Sequence, residues 1–289
     1  MVTYKSSDKN KNKEAVNVKI LLFDFNNLLY KALAVMPDLD SDGKPTGALY
    51  GFIQQVCSKI NAFKPDYVIV CNDSPPYFRK KAYPDYKKYR KTDRDEDRQL
   101  VANEARELCL RFLKTLNIQI LETPGYEADD LIAKACEDLH LTASQITVIS
   151  NDDDLFQIFQ YSTNVYIQKN KVFYSVRNFM NDYPTLEPKQ WPLFLALKGS
   201  HNGVPGLKGV GEKGALKILN DKELLKKTMK ENKEKLELFQ QLATLPYSNT
   251  LETVHVTPAK YDNKIVRFLT SLHIELTGSM HKAFMQINH

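Results

Sequence analysis

Acidic side chains stand at the ends of short apolar segments in this 289-residue chain. Asp24 closes an apolar run that begins at Ile20, and Asp73 follows the run Tyr-Val-Ile-Val-Cys by two residues. Such runs predict buried strands, and strands that alternate with helical segments predict a mostly parallel α/β sheet. Ligands of such sheets bind at the carboxyl ends of the strands, so we expect acids from four segments to converge there. The remaining members of the set are Glu127, Asp129, Asp130, Asp152, Asp153 and Asp154.

A cluster of carboxylates has a definite chemistry. Carboxylates within a few ångströms of one another repel and are tolerated when they are protonated or bridged by cations. Mg²⁺ and Mn²⁺ favour oxygen ligands, and two ions about 4 Å apart can hold the attacking and leaving oxygens of phosphodiester hydrolysis. A metal ion also generates the hydroxide nucleophile, so no catalytic Ser or His is needed. None of the six histidines stands beside a nucleophile motif.

Each acidic group also has a structural alternative. The acids at 127–130 suit the first turn of a helix, and those at 152–154 suit a solvated turn with a helix cap. Asp24 and Asp73 alone carry little information. The joint appearance of all of them at successive strand ends favours the metal hypothesis.

The elements that position these acids alternate along the chain. Apolar runs predict strands at 20–25, 67–71, 118–121, 146–149 and 165–168. Helical periodicity predicts helices at 46–63, 104–116 and 127–139, and the pattern is helical from residue 190 onward with one glycine-rich break. We expect a flexible tail at 1–19, an α/β core at 20–185 and a smaller helical region at 186–289.

Two basic stretches indicate an extended anionic partner. The net charge is +5, but nine Lys or Arg against five acids lie between Arg79 and Arg98. Nine Lys against five acids lie between Lys208 and Lys235. Tyrosines interleave with the cations of the first stretch, as in proteins that stack single-stranded bases. The alternatives are solvated helical faces and half-buried tyrosines.

The glycine-rich run LKGSHNGVPGLKGVGEKGALKIL at 197–219 contains a G-x-G-x-x-G spacing that begins at residue 209. A dinucleotide fingerprint must follow a strand, and the polar segment before this one does not predict a strand. Predicted helices at 191–198 and 212–219 flank the run, so it fits a hairpin whose glycines and helix N–H groups bind phosphates. A plain turn is the alternative. We expect this hairpin to hold duplex DNA without sequence preference.

Composition argues against several other classes of protein. Hydrophobic residues make up 43% of the chain and charged residues 26%, which is ordinary for a globular protein. Four cysteines without C-x-x-C spacing predict buried thiols in a reducing compartment rather than disulfides or zinc ligands. The first 19 residues lack the apolar stretch of a signal peptide, and no run reaches the length of a membrane span. We therefore expect a cytoplasmic protein with no membrane segment.

The motifs resemble those of the 5′-nuclease superfamily, which includes flap endonucleases, phage 5′-3′ exonucleases and the nuclease domain of bacterial DNA polymerase I. The resemblance covers about residues 20–220 and is looser beyond. It implies a PIN-like α/β core, a helical arch at about 79–103 and a helix–hairpin–helix at about 191–219. With no polymerase segment, the chain resembles the free-standing phage type. The motifs that carry it are PTGALYGF (45–52), FRKKAYPDYKKYR (78–90), GYEADDLIAKAC (125–136), SNDDDLFQIF (150–159) and PGLKGVGEKGALKIL (205–219).

The resemblance implies roles for individual residues. The metal ligands would be Asp24, Asp73, Glu127, Asp129, Asp130, Asp152 and Asp154, with Asp153 at a variable position. The catalytic residues of the arch would be Tyr86, Lys87 and Arg90. The DNA contacts would be Arg79, Lys80, Lys88, Lys208, Gly209, Gly211, Lys213 and Lys217. The family also places a K⁺ ion in the hairpin.

One segment departs from the family pattern. The family has Gly-Asp-x-x-Asp-Asn before Pro-Gly, and both aspartates help to hold a second metal ion. Residues 198–203 read Lys-Gly-Ser-His-Asn-Gly, with Ser200 and Asn202 at or beside the altered positions. No carboxylate lies between Glu187 and Glu212. We expect one tightly bound Mg²⁺ or Mn²⁺ and a second ion that binds weakly or only with substrate phosphate.

The resemblance therefore implies a divalent-metal-dependent, structure-selective 5′-nuclease that hydrolyses DNA near 5′ single-strand–duplex junctions. Its partners would be DNA with 5′ flaps or free 5′ ends and RNA–DNA hybrids, and it would act as a monomer. The altered second-metal positions leave a non-catalytic or weakly catalytic binder of branched DNA as an alternative. A PIN-like ribonuclease is a further alternative, against which the hairpin and the tyrosine-rich arch argue.

Overall fold

The computed structural model describes residues 17–35, 43–88, 96–169, 171–201 and 203–288. Most of the predicted tail, Arg90 and Asn202 lie outside these ranges. Six strands form one sheet: β1 (Lys19–Asp24), β2 (Tyr67–Cys71), β3 (Gln119–Leu121), β4 (Gln145–Ile149), β5 (Val165–Lys169) and β6 (Val172–Ser175). Their order across the sheet is β3-β2-β1-β4-β5-β6.

The sheet is mostly parallel, as predicted. The first five strands pair in parallel, and only β6 runs antiparallel, beside β5 at the sheet edge. β6 was not predicted, because it has four residues and its side chains Val172 and Phe173 are exposed. It therefore lacks the buried apolar pattern that marks the other strands.

Helices of the described residues cover both faces of the sheet. From Pro188 onward every described element is helical, as expected, but the first helix was not predicted and the fourth begins earlier than residue 104. Short 3₁₀ helices span Asp153–Gln160 and Pro188–Gln190. The α-helices are α1 (Phe25–Val35), α2 (Thr46–Phe63), α3 (Phe78–Ala82), α4 (Glu96–Thr115), α5 (Ala128–Leu139), α6 (Val176–Asp182), α7 (Trp191–Lys198), α8 (Glu212–Asn220), α9 (Lys222–Glu231), α10 (Lys233–Ala243), α11 (Asn263–Thr270) and α12 (Gly278–Gln286).

Strand β1 contributes to two hydrophobic cores on opposite faces of the sheet. Leu21 and Phe23 are buried with side chains of α1, α2, α4, α11 and α12, whereas Ile20 and Leu22 are buried with those of α5, α7 and α10. Successive side chains of a strand point to opposite faces, so a strand covered on both faces is apolar throughout. These two layers fix the strand ends at which the acids stand.

Two predictions from composition hold for the described residues. All four cysteines are buried and free of disulfides. Burial raises the pKa of each thiol, which keeps these groups protonated and unreactive at neutral pH. None of the helices in the described ranges is long and apolar enough to cross a bilayer.

Candidate active site

A cleft of about 1180 Å³ opens where β1, β2 and β4 end. Asp24 is the last residue of β1, Glu127 caps the N-terminus of α5, and Asp152 caps the 3₁₀ helix after β4. The parallel topology therefore brings acids from four segments to one place, as predicted. Six of the seven predicted metal ligands line the cleft: Asp24, Asp73, Glu127, Asp129, Asp152 and Asp154.

Asp24 lies buried at the floor of the cleft. Its Oδ1 accepts a hydrogen bond from the backbone N–H of Asn27 at 3.0 Å, and its Oδ2 accepts one from the Ser150 hydroxyl at 3.0 Å. Burial, aided by the charges of Asp73 and Asp152, raises the pKa of Asp24 to about 6 in spite of these two donors. A carboxylate in this state gains from a nearby cation.

Asp73 is held by donors on both oxygens. The Asn26 amide donates to Oδ2 at 2.7 Å, and the backbone N–H of Ala128 donates to Oδ1 at 2.7 Å. Ala128 is the first residue of α5, so the carboxylate takes one of the helix's unpaired N–H groups. Burial and the nearby charge of Glu127 still raise the pKa of Asp73.

Asp129, Asp152 and Asp154 also line the cleft. Burial and the charges of Asp152 and Asp24 raise the pKa of Asp129 well above its usual range. Asp152 accepts the backbone N–H of Asp154 at 2.9 Å, which fixes the turn into the 3₁₀ helix. Asp154 lies beside Ser200, whose hydroxyl donates to it at 3.5 Å. Asp153 pairs with Lys169, in keeping with a residue outside the metal set.

The donor set fits a hard divalent cation. Burial and, to a smaller extent, mutual repulsion raise the carboxylate pKa values and disfavour the charged acids, and a bound cation would offset both effects. Within the described residues, no three His, Cys, Asp or Glu side chains form a group that could hold a metal ion by itself. Mg²⁺ commonly takes one or two carboxylates and completes its shell with water and substrate phosphate. The open arrangement suits that mode of binding.

Glu127 joins the acidic cleft to the base of the predicted arch. Lys87 forms an ion pair with Oε1, while Tyr86 donates to Oε2 at 3.0 Å and Arg79 at 3.1 Å. Burial would raise the pKa of Glu127, but the charges of Lys87 and Arg79 outweigh it and lower the pKa. Glu127 therefore stays ionised and holds Lys87 at the edge of the cleft.

Two predicted site residues have a different role in the structure. Asp130, assigned above to a metal ion, is fully buried, and Arg79 bonds both of its carboxylate oxygens at 2.6 and 2.7 Å. Arg79, assigned to DNA, is 2% exposed and also donates to two carbonyls of the 242–244 segment. A buried charge must be fully paired, and these two residues neutralise each other. Neither is available to a metal ion or to DNA.

The other described residues of the predicted arch differ in their exposure to solvent. Tyr86 is only 4% exposed, and Tyr83 packs edge-on against Phe239, so these rings are half-buried or buried rather than open for base stacking. Lys80 lines the cleft, while Lys88 is exposed and pairs with Asp85 at 3.0 Å. Arg90 lies outside the described residues.

The glycine-rich run follows helix α7 rather than a strand, which excludes the dinucleotide motif. Its predicted DNA contacts do not line the acidic cleft but lie exposed at the loop and the first turns of α8: Lys208, Gly209, Gly211, Lys213 and Lys217. Ser200 and His201, farther upstream, line the cleft instead. Asn202 lies outside the described residues.

Three polar residues of the site were not predicted. Asn26 and Ser150 stand one or two residues beyond the ends of β1 and β4, so inspecting every polar residue near a strand end would have found them. Arg106 lies in the middle of the charged helix α4, and its Nη1 and Nη2 reach Asn26 and Asn72. Nothing in the local sequence separates Arg106 from the other arginines of α4.

The fold is shared with a known nuclease. A pseudo-enzyme–product complex of the bacteriophage T5 D15 flap endonuclease with DNA and metal ions superposes with a TM-score of 0.65. The sequences are 16% identical, and the match covers 93% of this chain and 97% of that one. The protein therefore has the fold of the flap endonucleases.

Sequence comparison defines the family more closely. Residues 19–184 match the model of the 5′-3′ exonuclease N-terminal resolvase-like domain. A 5′-3′ exonuclease from Aquifex aeolicus is 31% identical over 261 residues, which are 89% of this chain and 84% of that protein. The DNA polymerase I of Caldicellulosiruptor bescii is 34% identical over 253 residues, 82% of this chain but only 29% of the polymerase. The chain belongs to the 5′-3′ exonuclease family.

Proposed function

We propose that this protein is a divalent-metal-dependent, structure-selective 5′-nuclease that hydrolyses DNA phosphodiesters near 5′ single-strand–duplex junctions. The observation that carries the proposal is a cleft in which acids from four segments of the chain meet, with Lys87 at its edge. The metal ions and DNA in the related T5 complex support it. The protein would act as a monomer in the cytoplasm, on DNA with 5′ flaps or free 5′ ends and on RNA–DNA hybrids.

The cleft residues divide the chemistry among them. Asp24, Asp73 and Asp129 would hold Mg²⁺ or Mn²⁺, which when bound supplies a polarised phosphate and a hydroxide nucleophile. Lys87 would position the scissile phosphate and offset its charge, with Glu127 setting the direction of the ammonium group. The products would be 5′-phosphate and 3′-hydroxyl ends, as in the family.

The wall near Asp154 would bind a second ion weakly. Ser200, at or beside a position where the family has a carboxylate, places a neutral hydroxyl beside Asp154. A neutral ligand attracts a cation less than an ionised one does. A second ion would therefore depend on Asp152, Asp154 and the substrate phosphate together.

The loop after α7 and the start of α8 would hold the duplex. Three lysines and two glycines are exposed there: Lys208, Lys213, Lys217, Gly209 and Gly211. The first N–H groups of a helix and nearby cations bind phosphates, so this surface would contact the DNA backbone. A K⁺ ion in this hairpin belongs to the same proposal.

A cleavage assay tests the function. The wild-type protein is incubated with a 5′-flap duplex and Mg²⁺ or Mn²⁺, and a parallel reaction contains a chelator. We expect cleavage only with the divalent ion and a loss of about 10²-fold or more in Asp129→Asn, since a metal ion contributes several kcal/mol to the transition state. Glu237→Gln, on the exposed surface of α10, is the matched control. Absence of cleavage by the wild type, or equal cleavage by Asp129→Asn, would refute the proposal.

The same assay addresses the alternatives. The Ser200 hydroxyl beside Asp154 favours a branched-DNA binder as the second candidate, which would give tight, salt-dependent flap binding without turnover at any metal concentration. Competition between RNA and DNA substrates separates a DNA nuclease from a PIN-like ribonuclease.

A further inference from the structure

Arg106 lies beside Asp73 and connects helix α4 to the ends of β1 and β2. Its Nη1 donates to the Asn26 side-chain oxygen at 2.9 Å. Its Nη2 donates to the Asn72 side-chain oxygen at 2.6 Å and to the backbone carbonyl of Asp73 at 3.1 Å. One guanidinium group thus contacts residues that follow two neighbouring strands, β1 and β2.

These contacts determine how Asn26 meets Asp73. A guanidinium only donates hydrogen bonds, so the Asn26 oxygen must face Arg106 and the Asn26 NH₂ group must face the other way. That NH₂ group donates to Oδ2 of Asp73 at 2.7 Å. Arg106 therefore fixes the Asp73 carboxylate through Asn26 and fixes its backbone directly.

A ring contact also holds the Arg106 side chain in place. Its guanidinium carbon lies 5.1 Å from the ring centroid of Phe25, which is fully buried beside Asp24. Arg106 also lines the acidic cleft. The planar fork, the stacking surface and the three acceptors suit an arginine and not a lysine.

We infer that Arg106 is a positioning residue for the cation site, which holds Asp73 in the orientation that binds a divalent ion. The inference rests on the proposed function. Orientation and charge predict opposite effects of removing Arg106 on cation affinity. A positive charge beside acids weakens cation binding, so losing the charge alone would strengthen binding. If orientation dominates, its removal weakens binding.

Titration of Mn²⁺ into the DNA-free protein, followed by electron paramagnetic resonance, measures the effect. We expect Arg106→Ala to raise the Kd for Mn²⁺ about 10-fold, the usual order for the loss of a group that orients a metal ligand. Arg106→Lys keeps the charge but not the fork, so we expect it to restore little of the affinity. The matched control is Arg111→Ala: Arg111 lies on the same helix with its guanidinium carbon 5.5 Å from the Phe268 ring centroid, and it does not line the cleft.

A double-mutant cycle tests the path through Asn26. Asn26→Ala removes the donor to Asp73 while Arg106 remains in place. If Arg106 acts through Asn26, the combined variant binds Mn²⁺ nearly as well as the weaker single variant, whereas Asn26→Ala with Arg111→Ala is additive. If Arg106→Ala does not fold, Arg106→Lys takes its place in the cycle with Asn26→Ala.

An unchanged or lower Mn²⁺ Kd in Arg106→Ala, or full recovery in Arg106→Lys, would overturn the inference. These outcomes are distinct from failure of the proposed function, which appears as a wild-type protein that does not cleave flap DNA. A wild type that binds Mn²⁺ without cleaving would remove the nuclease proposal and leave the role of Arg106 intact if its variants bind Mn²⁺ weakly. A wild type that binds no Mn²⁺ would remove both.

Discussion

Neighbouring acids in one motif lie in different environments. Asp129 faces the cleft with Asp24 and Asp152, while Asp130 faces inward and pairs with Arg79. The sequence shows two adjacent aspartates and does not separate them, because the partner of Asp130 depends on a distant segment. Arg79 is fixed by carbonyls of residues 242 and 244, more than 160 positions along the chain. The acidic set was predictable from strand ends; its division between the cleft and the interior was not.

The acidic cluster should reduce the stability of the metal-free protein. The pKa of Asp24, about 6 against an ordinary 3.8, means that the folded state binds more protons than the unfolded state between these values. This group therefore contributes stability at low pH that is lost as the pH rises through about 6. Asp129→Asn removes a buried acid that in the folded state either carries a disfavoured charge or takes up a proton, and we expect it to stabilise the metal-free fold at pH 7 by about 0.5–2 kcal/mol.

Urea unfolding in a chelator measures this change, with Glu237→Gln as the control. If Asp129 only complemented the α5 dipole, Asp129→Asn would lower the free energy of unfolding. The two interpretations of Asp129 therefore predict opposite signs for the change in stability. In excess Mg²⁺ the wild type should regain the difference, because ion binding stabilises the folded state. A decrease in stability in the chelator would contradict the cation-site assignment.

At the level of elements, apolar runs predicted the five parallel strands to within a residue or two. The elements that the periodicity missed include α1, α6 and β6. Helix α1 directly continues the β1 run, α6 has only seven residues, and β6 is a short exposed edge strand. The contact between the glycine-rich loop and the arch could not be predicted at all. Gly203 has φ +106°, and a Cβ there would lie 2.7 Å from the backbone nitrogen of Lys87. The loop thus supports the backbone that carries Lys87, itself in the left-handed region at φ 54°.

Gly203→Ala should therefore impair catalysis, beyond the loss of stability that it shares with other glycine replacements at positive φ. The added methyl group collides with backbone, which must shift and carry Lys87 away from its position beside Glu127. We expect kcat to fall by about 10²-fold, the order associated with a displacement of about 1 Å. Gly43→Ala is the matched control, since Gly43 has φ +73° and nothing within 4 Å of an added Cβ.

Both variants place a side chain at positive φ, and only Gly203→Ala adds a collision with backbone, so its melting temperature should fall further than that of Gly43→Ala. The difference in kcat then isolates the collision with Lys87. Equal kcat values for the two variants would show that the loop does not position the arch.

At the scale of the whole molecule, hydrogen bonds and apolar contacts join the C-terminal region to the α/β core. Backbone N–H groups of Tyr247 and Val254 donate to Asp130 and Asp138 of α5, both at 2.8 Å. Farther along, the Lys260 N–H donates to the Leu116 carbonyl at 2.7 Å, and α11 and α12 then complete the hydrophobic core that contains Leu21 and Phe23. The sequence predicted helices after residue 190 but not this path, because single hydrogen bonds to a loop leave no periodic pattern.

The acidic cleft and the exposed lysines beside the glycine-rich loop lie on separate surfaces, and the roles proposed for them can be tested independently. Lys208, Lys213 and Lys217 are exposed and do not line the acidic cleft. If they contact phosphates, replacing all three with alanine should weaken flap–duplex binding about equally for all sequences. It should also reduce the slope of log Kd against log salt by about 1 per lysine, because each contact releases a counterion.

Fluorescence anisotropy in a chelator, between about 50 and 200 mM salt, measures this slope without cleavage. The matched control replaces three exposed lysines of the C-terminal region: Lys260, Lys264 and Lys282. The control variant loses the same net charge as the loop variant. A general electrostatic effect would therefore lower the salt slope of both variants alike, whereas a duplex-binding hairpin would lower only that of the loop variant. Equal slopes would place the duplex elsewhere on the protein and leave the cleavage proposal to be judged by the acidic cleft alone.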